Sequence, residues 1–247
     1  MFKKKQKLEF LTLIPEVQKT MPIIPAKELK HEWLRKMAID FSEQRKKPDF
    51  GTFQYSHTSR CPGIVSLIRS GWILRAWQDV YIEKTSADSL FWRTPLNQKD
   101  MIGIDQIEIH KPEEFKNYFN NWSYSFNGVL KYQSPWSVII PKGYYLLEIP
   151  VAYSDDPRFE TATGYLSYEY GQVPLNPQFF WKTQENSMLI EKGTPIAQYI
   201  LVKKEEVEIS MRTRLPEERK LEQVILGSKF VKNMREYKQE VQNLYKR

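Results

Sequence analysis

Cys61 and His57 are the pair whose types match nucleophilic catalysis, a thiol in the chain four residues after an imidazole. Cys61 directly precedes Pro62, where a short helix is predicted, and a helix N-terminus favours the thiolate. The sequence around the pair shows neither a third, orienting group nor a protease signature, so a small residue at a helix start accounts for Cys61 equally well. The histidines are His31, His57 and His110, and none belongs to an H-x-D or H-E-x-x-H pattern. They read as ordinary surface or core histidines, and no metal or other cofactor is implied. Asp155 and Asp156 are adjacent carboxylates, but they stand immediately before Pro157, where a turn explains them. The phosphate-cradling patterns G-x-x-x-x-G-K-[ST] and G-x-G-x-x-G are absent.

A second kind of chemistry is aromatic. Aromatic residues make up 14% of the chain, while glycines number only 10 of 247 residues. Tyr144, Tyr145, Tyr153, Tyr165, Tyr168 and Tyr170 have rings that stack on bases or sugars in some proteins and pack on sheets in most. Strict alternation places Tyr168 and Tyr170 on one face of a strand. Trp72, Trp136 and Trp181 are expected to fill a β-rich core.

The elements that must position these residues follow from periodicity and turn signals. Residues 1–24 read as an extended arm, with Leu8 to Ile14 strand-like and Met21 to Pro25 stiff. A helix is predicted over 27–45, with Leu29, Trp33, Leu34 and Met37 on one face. A short helix over 62–70 starts at Pro62 and is capped by Gly71. Strands are expected at 72–77, 79–83 and 102–110, a polar hairpin or loop at 86–100, and a turn or two of helix at 112–118. From Gly128 to Val207 strands succeed one another at 129–132, 136–140, 144–151, 164–170, 179–183, 187–190 and 195–202. Pro141-Lys-Gly143, Asn176-Pro177 and Glu191-Lys-Gly193 are among the turns between them. Pro216-Glu-Glu218 opens a long C-terminal helix over 216–246, with Leu221, Val224, Val231, Met234, Val241 and Tyr245 near a heptad stripe.

Several of these segments resemble the core of the dUTPase and dCTP-deaminase superfamily. Ile140-Pro-Lys-Gly-Tyr-Tyr145 is similar to the strand-turn before that family's Arg-Ser motif. Thr163-Gly-Tyr-Leu-Ser-Tyr-Glu-Tyr-Gly171 resembles its uridine-binding hairpin, which reads roughly G-x-I-D-x-x-Y. Glu191-Lys-Gly-Thr-Pro-Ile-Ala-Gln198 resembles its closing K-G-D-x-I-A-Q strand. The resemblance implies a distorted β-barrel or jelly-roll-like sandwich and a nucleotide pocket at the hairpin. The chain departs from the family at the chemistry. Val151-Ala152-Tyr153 stands where the family has Arg-Ser-Gly, and Ser167 stands where it has a catalytic aspartate. A serine cannot serve there as a carboxylate base. Tyr170 matches the ring-stacking tyrosine with a spacing one residue short. A shared fold does not carry the activity.

A further resemblance runs through Arg60-Cys-Pro-Gly-Ile-Val65, Ser70-Gly-Trp-Ile-Leu74, Ser134-Pro-Trp136, Gly143-Tyr-Tyr-Leu-Leu147, 176–181 and Gly193-Thr-Pro195. These segments look like a group of proteins of marine tailed phages and, more distantly, of bacteria. That group implies a viral origin and no established activity.

Charge and composition narrow the remaining classes. Lys and Arg total 37 against 30 Asp and Glu, a net charge of +7, and the excess lies near the two ends. No basic stripe runs through the middle, so a nucleic-acid partner is not expected. Cys61 is the single cysteine, which excludes an intrachain disulfide and fits a reducing compartment. No apolar run reaches membrane-spanning length, and Leu8 to Ile14, broken by Glu9, does not make a signal peptide. The expected location is a host cytoplasm or a virion.

Together these readings predict an α+β protein, mostly β: an antiparallel β-sandwich or distorted barrel over 72–207. An N-terminal arm and helices over 1–71 precede it, and a C-terminal helix over 208–247 follows. The leading functional expectation is a non-catalytic, phage-type binding or structural protein. It would act through protein–protein contacts or self-association, within an oligomer or a virion. The alternative is an enzyme or nucleotide-binding protein, with Tyr165, Ser167, Glu169 and Tyr170 as its candidate pocket.

Overall fold

A computed structural model of the protein describes residues 6–44, 46 and 61–215. Strands dominate them. They are β1 (Glu9–Thr12), β2 (Ile24–Pro25), β3 (Trp72–Arg75), β4 (Val80–Lys84), β5 (Leu90–Arg93), β6 (Ile107–His110), β7 (Val129–Tyr132) and β8 (Trp136–Ile139). Then follow β9 (Tyr144–Ile149), β10 (Phe159–Thr161), β11 (Gly164–Ser167), β12 (Gln172–Pro174), β13 (Gln178–Trp181), β14 (Ser187–Ile190) and β15 (Pro195–Lys203). The helices are α1 (Pro15–Thr20), α2 (Glu32–Gln44), α3 (Pro62–Arg69) and α4 (Gln98–Ile102).

The strands pair into four sheets, ordered β1-β8-β12, β10-β13-β7-β6, β11-β9-β15-β3-β2 and β14-β4-β5. Every pairing is antiparallel. This is the mostly-β, antiparallel sandwich class that the sequence predicts, and none of the four sheets closes into a barrel. The sheets turn one face each to a shared core. Ile82, Leu130, Val138, Leu146, Trp181 and Tyr199 all lie in it, and Trp136 and Trp181 are buried as expected. Trp72 is only partly buried and meets the ring of Phe10 edge-on at 5.8 Å.

The chain forms two compact units, one of residues 1–30 and 66–205 and the other of residues 31–65 and 206–247. The first holds all four sheets. In the second, α2 carries an exposed ion pair between Glu32 and Arg35, one helical turn apart. The expected C-terminal helix over 216–246, and His57, lie outside the described residues.

Local expectations are corrected at the arm and at 164–170, sharpened at 86–100, and extended by two short strands. The arm is not extended throughout, because Pro15 at the first turn starts α1, whose Val17 is buried. The 86–100 segment holds β5, paired with β4, and the start of α4, capped by the Asn97 side chain and closed by Gly103 at φ +77°. The strand at 164–170 stops at Ser167. Its hydroxyl oxygen caps a 3-10 turn at Tyr168–Tyr170, so Tyr168 and Tyr170 do not share a strand face. The short strands β10 and β12 were hidden by their brevity and, in β12, by Pro174.

Gly71 is required where it stands. Its φ is +74°, and a Cβ there would lie 1.8 Å from the Tyr199 carbonyl oxygen. The neighbouring Gln198 amide, buried at 1% exposure, fixes the same place, donating to the carbonyls of Leu67 and Ser70 and accepting from the Ala152 N–H.

Candidate functional site

The hairpin residues singled out in the sequence lie at the end of β11 and in the turn after it. Tyr165 is 69% exposed and Tyr170 75% exposed. Register places Tyr165 opposite Leu147 and Ser167 opposite Tyr145, and the Tyr145 and Tyr165 rings meet at 5.7 Å. Ser167 is buried, and its oxygen accepts from the Glu169 N–H at 3.3 Å. The exposed Glu169 carboxylate accepts from Lys204 at 3.2 Å. That bond and the charge of Glu169 raise the Lys204 ammonium above the usual lysine range. Tyr165, Tyr168 and Glu169 are thus gathered about Lys204 at the surface, while Ser167 is committed to the backbone. The arrangement can stack and hydrogen-bond, and it presents no desolvated carboxylate to activate water.

A cleft of about 470 Å³ lies elsewhere in the first unit, and its wall includes Ile14, Val17, Trp77, Pro95, Leu96 and Met101. Leu96 is 52% and Met101 48% exposed. The charged groups that line it are Glu16, Asp79 and Lys192, and Asp79 accepts from the Lys192 backbone N–H at 2.6 Å.

Three buried glutamines hold this wall. Trp77 Nε1 donates to both Gln98 Oε1 and Gln106 Oε1 at 2.9 Å. Gln78 clasps the Leu96 backbone, its Nε2 donating to the carbonyl and its Oε1 accepting from the N–H, each at 3.0 Å. Gln98 and Gln106 both donate to the Gln133 carbonyl. Burial keeps the neighbouring Tyr132 hydroxyl protonated, against the opposing pull of its hydrogen bonds with the Trp77 N–H and Gln106. The polar side-chain atoms of Trp77, Gln78, Gln98 and Gln106 are therefore consumed inside the protein, which leaves this part of the wall apolar and its shape fixed.

Sequence reasoning missed a further polar place. Glu148 stands on the core-facing side of β9, because alternation puts it with Leu146 and Tyr144. The Tyr199 hydroxyl donates to Glu148 Oε2 at 2.6 Å. Burial pushes the Glu148 carboxyl up to about 7, against the opposing pull of this hydrogen bond. Burial and the adjacent carboxyl push Tyr199 well above its usual range, so it stays protonated. The signal was legible: a Glu at an inward position of Tyr144-Tyr-Leu-Leu-Glu-Ile149 breaks the apolar alternation.

Cys61 is partly buried. Among the described residues no three His, Cys, Asp or Glu side chains gather as metal ligands, and no helix is long and apolar enough to cross a membrane.

The chain matches no family model and no curated protein. Among solved structures, a mutant of the Staphylococcus bacteriophage 80alpha dUTPase with dUpNHpp is 15% identical to it, over 86% of this chain and 91% of that one, at a TM-score of 0.38. The dUTPase from phage phi11 of S. aureus is 15% identical over 36% of this chain and 73% of that one, at a TM-score of 0.26. Likeness at this level concerns the β-rich fold, and we carry no residue, substrate or activity over from these proteins.

Proposed function

We propose that the chain is a binding protein that acts through protein–protein contacts, within an oligomer or a virion, and that the cleft beside α1 receives an apolar side chain of its partner. The observation that supports this reading is the state of the polar groups around the cleft. Trp77, Gln78, Gln98 and Gln106 spend their donors and acceptors on one another and on the backbone. A nucleotide or sugar needs unspent donors and acceptors in its pocket. An apolar side chain needs only a preformed apolar hollow with an uncovered rim, such as Leu96 and Met101 provide.

A benzophenone side chain placed at Leu96 tests this in the cells that make the protein. A covalent adduct to a polypeptide, whether a second copy or another protein, is expected, and Met101→Glu should abolish it. Adducts to no polypeptide would overturn the reading. The second reading, a nucleotide held at Tyr165, Ser167, Glu169 and Tyr170, has in its favour the exposed rings beside Lys204. It requires that a nucleotide raise the melting temperature and that Tyr165→Ala remove the rise.

A further inference from the structure

Glu148 has a neighbour on each side across the sheet. On one side is Tyr199, its register partner in β15. On the other is Gly164, its register partner in β11. Directly opposed residues of antiparallel strands point to the same face, so a side chain at position 164 would stand against the carboxyl. The position is open: apart from Gly164 itself and its two chain neighbours, no heavy atom of the described residues lies within 4 Å of where a Cβ would be, and Gly164 is exposed. One step along the same face, Leu146 and Leu166 are partners and close the surface with apolar groups.

The carboxyl is only half satisfied. Oε2 accepts from Tyr199, the one hydrogen bond of the group among the described residues. Tyr199 is also the only titratable group among the described residues that acts on it. β11 contributes Gly164 and Leu166 to this face and β15 contributes Tyr199, Leu201 and, at its far end opposite Tyr144, Lys203, which pairs with Glu205 and does not act on Glu148. A desolvated carboxylate without a counter-charge is a cost to the fold. Leu or Gln in its place would avoid that cost. What the arrangement provides in return is an unshared oxygen beside the open, exposed position at Gly164.

We propose that Glu148 and the notch at Gly164 form a binding site for a cation that donates hydrogen bonds, a primary ammonium or a guanidinium. The ligand's N–H groups bond Oε1 and its charge supplies the missing counter-ion, while Tyr199 holds Oε2 and fixes the carboxyl's orientation. A free amine and the side chain of a partner's Lys or Arg share this chemistry. Binding draws on the ionised carboxylate, so it displaces a proton wherever Glu148 is protonated in the free protein.

The test uses the full chain and four probes: methylammonium, guanidinium at low millimolar concentration, N-acetyl-lysine amide, and tetramethylammonium, which has the charge but no N–H. At pH 8 each of the first three is expected to raise the melting temperature, by about 3 °C at ten times its dissociation constant. Tetramethylammonium should not. Affinity should be about tenfold weaker at pH 6 than at pH 8, with proton release seen by calorimetry in buffers of different ionisation enthalpy. Tighter binding of the lysine derivative than of methylammonium assigns the site to a polypeptide side chain, and the reverse order assigns it to a free amine. Glu148→Gln keeps the Tyr199 bond and loses the charge. Gly164→Val fills the notch with a residue that suits a strand. Both should remain folded by circular dichroism and lose the shift. A shift that survives in either variant, an equal response to tetramethylammonium, or no response in the folded parent protein would overturn the proposal.

Discussion

Around Trp77, the side chains of Gln78, Gln98 and Gln106 are buried at 5%, 1% and 0% exposure, and each finds partners for its amide. At Tyr199, the partly buried Glu148 carboxyl has one hydrogen bond and no counter-charge among the described residues. Both places bury polar groups in one core, but only the first closes its accounts internally. A neutral amide carries a donor and an acceptor and can be satisfied by its own kind. A carboxylate accepts only, and in a core it needs protons or cations that its neighbours must bring. The first place is thus suited to hold a shape, and the second to respond to something that arrives.

The glutamine cluster is redundant, since Trp77 Nε1 has two acceptors and the Gln133 carbonyl two donors. Gln98→Leu and Gln106→Leu should each cost only about 1 kcal/mol, because the remaining glutamine still serves the shared partners. Together they orphan the indole N–H and the carbonyl, and the double variant should lose about 4 kcal/mol, well beyond the sum. Urea denaturation of the four proteins of this cycle measures the excess. Strict additivity would mean that the cluster is a set of independent bonds and would remove the contrast.

The carboxyl should behave in the opposite way, with its removal stabilising. Glu148 holds its proton more tightly in the folded protein, at about 7, than in the unfolded chain, at the ordinary 4.5. Its contribution is therefore most favourable below pH 4.5, is lost as pH rises through 7, and is level above about pH 8. The loss across that window is at most roughly 3 kcal/mol. Glu148→Gln should be more stable than the parent at pH 8 by up to that amount and close to it at pH 4.5. Stability curves for both proteins from pH 4.5 to 8 check the slope.

Much of the framework was legible because turns and alternation declare themselves locally. Pro141-Lys-Gly143 and Glu191-Lys-Gly193 do bound β9 and β15, with Gly143 at φ +81° and Gly193 at φ +94°. α3 begins at Pro62 and ends just before Gly71. Of the candidate residues, Tyr165 and Ser167 lie on β11 and Glu169 and Tyr170 in the turn after it, and their environment was not readable. Whether Tyr165 faces a pocket or solvent depends on which strand lies opposite, and Leu147 is 18 residues away in sequence. The cleft was illegible for the same reason, since α1, Trp77 and Leu96 meet only through tertiary packing. Glu148 announced itself by breaking the alternation, yet its meaning depends on Gly164 and Tyr199, which register alone brings beside it.

Tyr199→Phe separates the hydroxyl from the ring that fills the core. At pH 8 it removes a hydrogen bond to a charged acceptor and should cost about 2 kcal/mol. At pH 5, where Glu148 is neutral, the cost should fall to about 1 kcal/mol. A cost independent of pH would place the carboxyl in water rather than in the core. The variant should also raise the carboxyl's pKa further, because Tyr199 is the group that opposes the effect of burial. Carboxyl resonances followed by NMR titration would show it.

The smallest effect belongs to the surface counterpart of Glu148. Glu169 also meets a single partner, Lys204 at 3.2 Å, but both side chains are more than half exposed. Water screens the pair, and two long side chains are held for little return. Lys204→Ala should leave the denaturation midpoint unchanged within error at any pH from 5 to 8, even though it removes a full counter-charge. Set beside Glu148→Gln, this isolates burial as the variable. One variant removes the counter-charge of an exposed glutamate and the other the charge of a glutamate facing the core, and only the second changes stability with pH. A midpoint shift in Lys204→Ala as large as that in Glu148→Gln would show that net charge, and not desolvation, governs both.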